Sequence, residues 1–227
     1  MLTIDVPDLS LDRIELAPRE VRGGERPLAP GTASLGGPFW TLLPKDLPDD
    51  DPEAAAFRSD PLWRWVVGVL ALSLDVDDES DERYERAWVD ITLSRKDAAE
   101  PQAVAWSMKP DRVSREVSRS TKVTLGPSLT IADLGIEAGV ERGVVRSLED
   151  VSIEALREKT ATPRWLLRRT ASAQLRGCTR LALVVRAPSD SLIEADVDVG
   201  FVSARRRWVF FWSKLRGEQP RRSSTLP

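Results

Sequence analysis

The chain has 227 residues, 41% of them apolar and 30% charged, with a formal net charge of −3. That is the composition of a globular protein rather than a disordered or fibrous one, and the length suits one large β domain or a domain with appended arms. Cys178 is the single cysteine, so no intrachain disulfide forms. With no histidine at all, Ser-His-Asp and Cys-His catalysis and histidine-based zinc sites are excluded.

Carboxylate, lysine and tyrosine chemistry remain open. The basic residues are 27 Arg against 6 Lys, which we read as coding bias rather than function. The opening residues lack the basic and apolar regions of a signal peptide, and the longest apolar stretch, Trp65–Leu72, is too short for a spanning helix. These features lead us to expect a cytoplasmic protein in a reducing compartment.

Along the chain, Leu2–Val6 and Arg13–Leu16 alternate like short strands, and Gly and Pro then gather over Pro18–Pro38 in the manner of a linker. Residues 1–38 are therefore expected to form an N-terminal arm. The β domain is expected over 39–216, with a possible strand from Trp40 to Leu43 and a long acidic connection from Pro44 to Pro61. Trp63–Val76 is apolar and rich in β-branched and aromatic residues, so it reads as a buried central strand with a bulge or close contact at Gly68. In Trp88–Ser94, Val89, Ile91 and Leu93 share one face at period two. The two segments are expected to form a long hairpin across the charged stretch 77–83.

Val104–Met108 reads as another strand. Val113–Leu125 and Leu129–Val145, joined at Gly126-Pro127, read as a second hairpin rich in Ser, Thr, Val and Gly, with a parity slip near Asp133 and Leu134. Leu148–Lys159 fits either a short helix or a strand. Strands are expected in 164–170, with Trp165 as a core anchor, and in 180–186, 193–204 and 208–212. The sum is a mainly β protein: an antiparallel β-sandwich or partly closed barrel of about nine or ten strands, with at most one or two short helices. Residues 217–227 are expected to be a flexible basic tail, because 205–227 carries +6 against −9 for the rest.

Three constellations invite chemistry. Asp75, Asp77, Asp78, Glu79 and Asp81 are weak calcium candidates, since calcium favours several carboxylates on a flexible loop. Counted from Asp75, however, Ser80 takes the glycine position of an EF-hand and Arg86 the bidentate glutamate position. Arg205, Arg206, Arg207, Trp208, Trp212, Lys214 and Arg216 mix cations with aromatics, the composition of a partner-binding or membrane-surface segment. The Val113–Val145 hairpin has the length of a bilayer-inserting segment, but its parity argues against insertion and for a water-exposed or interface-forming hairpin, because Arg115 and Arg119 share a face with Val113 and Val117. On a lipid-facing side each would cost roughly 2 to 4 kcal/mol near the midplane.

No nucleotide-binding, hydrolase or cofactor motif is present. Cys178 lacks an activating histidine and reads as an inert thiol. The leading expectation is a non-catalytic β-sandwich that binds another protein or itself, as a subunit of an intracellular assembly. The first alternative is a membrane-acting protein, peripheral or pore-forming, that uses 205–216 or 113–145 against an anionic surface. The second is a carboxylate-dependent enzyme or carbohydrate binder. Nucleic acid is not favoured, given the negative net charge.

Overall fold

The computed structural model describes residues 2–4, 9–14, 17–20, 31–43, 60–76, 82–97, 102–113, 123–124, 129–131, 152–170, 174–207, 211–218 and 222–227. In chain order the strands are β1 (Leu2–Ile4), β2 (Leu11–Ile14), β3 (Ala17–Glu20), β4 (Gly31–Leu42), β5 (Trp63–Val76), β6 (Glu82–Arg95), β7 (Val104–Lys109) and β8 (Arg112–Val113). They continue as β9 (Val123–Thr124), β10 (Leu129–Ile131), β11 (Ile153–Leu156), β12 (Arg164–Arg168), β13 (Gly177–Pro188), β14 (Ile193–Arg207), β15 (Phe211–Glu218) and β16 (Arg222–Thr225). No helix occurs among the described residues.

Two antiparallel sheets make a β-sandwich, as the period-two pattern predicts. One runs β2-β4-β5-β13-β7; the other runs β3-β15-β14-β6-β12-β11-β8, with β16 also on β14. Alternation explains the core. Ala87, Val89, Ile91 and Leu93 of β6 and Ile193, Ala195, Val197, Val199 and Phe201 of β14 point inward from the larger sheet. Val66, Leu70, Leu72 and Leu74 of β5 and Leu181, Leu183, Val185 and Ala187 of β13 meet them from the smaller one. Trp165 is fully buried among them, the anchor its sequence context predicts. Burying each such Leu, Val or Ile is worth about 1.5 to 3 kcal/mol.

Several sequence expectations are corrected. The long strands β5 and β6 do not form a hairpin with each other. β5 pairs with β4 and β13, while β6 pairs with β14 and β12 in the other sheet. The expected linker over Pro18–Pro38 gives way at Gly31, where β4 begins; Leu35 is fully buried, and a register shift between Gly36 and Phe39 accommodates Gly37-Pro38. The ambiguous segment around Ile153 is a strand, held between β12 and β8.

The tail is no free tail either. Glu218 pairs with Gly200 and Arg222 with Val197, so β16 continues the line of β15 along β14 with a one-residue slip. Leu226 then inserts into the core at 2% exposure, and its N–H donates to the Ile193 carbonyl at 2.9 Å. Sequence missed this because four polar residues in 222–225 precede the single apolar anchor.

Each flank of the sandwich is tied across. On one, the turn after β11 reaches both sheets: the Ala105 N–H donates to the Thr160 carbonyl at 2.9 Å, and the Ile91 N–H to the Pro163 carbonyl at 3.0 Å. Arg157 and Lys159 adopt φ of 60° to make that turn. On the other flank, Trp40 of β4 donates its indole N–H to the Ser224 hydroxyl of β16 at 3.0 Å.

Candidate functional site

The strand register gathers the sequence-predicted segments at one end of the sandwich, where β5 finishes and β6 begins. Asp75 is exposed near the end of β5; Asp77, Asp78, Glu79 and Asp81 lie outside the described residues. Glu82, the first residue after that acidic stretch, pairs with Arg205, and Arg83 with Ala204. Past Arg205, among the described residues, β14 pairs only with β15, Arg206 opposite Trp212 and Arg207 opposite Phe211; Lys214 and Arg216 lie farther back, opposite Ala204 and Val202, where β14 also pairs with β6. Trp208 lies outside the described residues. The start of β6 and the arginines that end β14 are thus neighbours, a relationship their sequence separation conceals.

Val113 and Ser152, which flank residues 114–151, lie at the same end. Val113 of β8 pairs with Ile153 of β11, Ile153 with Leu167, and Leu167 with Ala87. β8 runs toward the start of β6, so the chain departs at Val113 in that direction and returns at Ser152. The Ser152 N–H donates to the Val113 carbonyl at 2.8 Å. Entry and exit of residues 114–151 are therefore hydrogen-bonded neighbours at the outer edge of the larger sheet. Within the excursion, Thr124 pairs antiparallel with Thr130 and Val123 with Ile131; the rest of the expected hairpin lies outside the described residues. β1 pairs in parallel with β10, on the edge of β10 opposite β9.

Around this exit the charges are matched. Asp111 accepts from Lys109 Nζ at 3.0 Å and from the Arg112 N–H at 2.9 Å. Burial works to raise its pKa, but these bonds outweigh it and hold the carboxyl below its ordinary value. Arg168 pairs with Glu154 at 3.2 Å and Arg169 with Glu85 at 2.9 Å.

On the outer face of the larger sheet, Arg164 makes a two-pronged bond to Asp90 that raises the guanidinium pKa above its usual value despite burial. Trp88 leans across Gly200, where a Cβ would come within 2.2 Å of the indole, and Asp198 sits directly opposite Asp90. Two acids and a tryptophan thus share one face, with Asp90 committed to Arg164.

At the opposite end, the tryptophans divide. Trp65 is buried, while Trp63 is half-buried under the Arg186 guanidinium at 4.3 Å. Arg186 also lies over Trp106 at 5.3 Å, and Lys159 covers the same ring at 5.3 Å. Sequence reasoning passed over Trp106 because nothing in its neighbourhood marks a cation contact. Cys178, paired opposite Ser73, is half-buried. Among the described residues no group of three or more His, Cys, Asp or Glu is placed to hold a metal ion, and no helix is long and apolar enough to cross a membrane.

These observations define a mainly β, antiparallel sandwich. No family model and no curated protein matches the chain. Among solved structures, one titled "Pore forming protein" is similar at 8% identity, over 98% of this chain and 92% of that one, with a TM-score of 0.35. A likeness of that degree carries no argument about function.

Proposed function

We propose that this chain is a non-catalytic β-sandwich that acts at membranes as a self-associating subunit, delivering a β-hairpin from within residues 114–151 to the bilayer. The observation that carries the reading is the pairing of Val113 with Ile153. Because the excursion leaves and returns at ladder partners, it can move without disturbing the sandwich beneath.

The sequence of the return arm agrees. Ala132, Leu134, Ile136, Ala138 and Val140 alternate with Asp133, Gly135, Glu137, Gly139 and Glu141, the apolar-out, polar-in pattern of a membrane strand. Both arms exceed the about 9 to 11 residues that a spanning strand needs. A single hairpin in lipid leaves its edge N–H and C=O groups unsatisfied, so only a barrel closed by several copies is stable there. Self-association and membrane action are thereby one property. The neighbouring Arg205–Arg207 ribbon supplies cations at the same end, suited to an anionic surface.

The test is dye release from vesicles of phosphatidylcholine with and without phosphatidylserine, together with flotation. Release that accompanies oligomers on the vesicles supports the reading; neither binding nor release at either composition removes it.

A second reading, a protein-interaction module working in solution, is favoured by Leu62 and Leu192. They are 72% and 47% exposed near the Trp63–Arg186 stack at the opposite end, where apolar residues beside Trp and Arg suit a partner. A strict monomer by light scattering, unchanged by Leu62→Glu, speaks against it.

A further inference from the structure

We infer that the edge of β10 is the surface through which two copies of this chain pair, and that β1 occupies that edge in the single chain. The inference rests on the assembly reading above. β9 and β10 form the described part of the excursion's hairpin, and β10 turns one edge to β9. Its other edge is taken by the N-terminal strand, Leu2 against Leu129, Thr3 against Thr130 and Ile4 against Ile131. An uncovered strand edge is a template for pairing with any other chain, so covering it keeps the copies apart in water.

The cover is brief and parallel, the weaker ladder per residue. It comes from a segment far away in sequence, which makes it exchangeable. In a barrel closed by several copies, the edge that β1 holds is the one a neighbouring copy's hairpin must take. The occupant assigned to this edge is therefore a strand of a second copy.

The experiment starts from Cys178→Ser with Thr3→Cys and Thr130→Cys, positions that are ladder partners. Bond formation is followed by mass. On phosphatidylcholine–phosphatidylserine vesicles, the oxidised protein is expected to lose at least tenfold in dye release and oligomer yield, and reduction is expected to restore both. Thr3→Pro, which removes a donor from β1, is expected to release dye several-fold faster than wild type. Equal release by oxidised and reduced protein, with wild type active, overturns this inference and leaves the membrane reading standing. If wild type itself neither releases dye nor assembles, the membrane reading fails and the inference falls with it.

Discussion

Trp40 and Gly68 face each other across the β4–β5 ladder, and the indole lies where a side chain at 68 would stand. A Cβ there would come within 2.2 Å of the Trp40 ring and 2.8 Å of Leu183. The missing side chain lets Trp40 lie flush enough to reach Ser224 on the other sheet, so one glycine on β5 conditions a tie between the two layers.

Gly68→Ala is accordingly expected to destabilise the fold by about 1 to 3 kcal/mol, the usual cost of forcing volume into a packed core. Chemical denaturation measures it. Because the clash is with one ring, Gly68→Ala combined with Trp40→Leu is expected to cost less than the two changes separately.

Leu226→Ala is expected to lower stability by about 2 to 5 kcal/mol, as for other buried leucines. Its side chain is 2% exposed within the core. A change near zero in the denaturation midpoint would mean that the end of the chain contributes nothing to the sandwich.

Much of the fold was legible because period two is a local signal. The alternation in Val89, Ile91 and Leu93 and the aromatic Trp165 each reported its own burial. Partnership was not legible. β5 is apolar on both faces, with Val66 and Leu70 toward the other sheet and Val67 and Val69 away from it, so nothing in its sequence says that β6 belongs elsewhere. The linker reading of Pro18–Pro38 failed over β4 because glycine and proline mark a register shift inside a strand as readily as a loop. The candidate site was legible only as separate pieces. The ladder from Glu82 to Arg205 and from Val113 to Ile153 brings those pieces to one end, and long-range pairing leaves no local mark.

Asp111 supplies a pH dependence. Its carboxyl is held below its ordinary pKa by Lys109 and the Arg112 N–H, against burial. Its stabilising contribution is therefore complete above the unfolded-state pKa and is lost as pH falls through the lower, folded value. The group is largely exposed, so the effect is small. Carboxyl NMR titration is expected to place Asp111 below its unfolded value, and Lys109→Ala is expected to bring it back up. An unchanged titration in the variant would show that Lys109 is not the cause.

Arg119 is the residue least suited to a bilayer-spanning arm, since it shares a face with Val117 and Val123. In the membrane reading, Arg119→Leu removes roughly 2 to 4 kcal/mol of opposition near the midplane and is expected to speed dye release. Slower release would place Arg119 on the water side of the hairpin.

The most direct measurement uses the chain's single cysteine. In a Cys178→Ser background, each of residues 132–141 is replaced in turn by cysteine, labelled with an environment-sensitive fluorophore, and mixed with phosphatidylcholine–phosphatidylserine vesicles. The account predicts an alternating response: a blue shift at 132, 134, 136, 138 and 140, and little change at 133, 135, 137, 139 and 141. A uniform response, or none at any position while the protein remains folded, would contradict it.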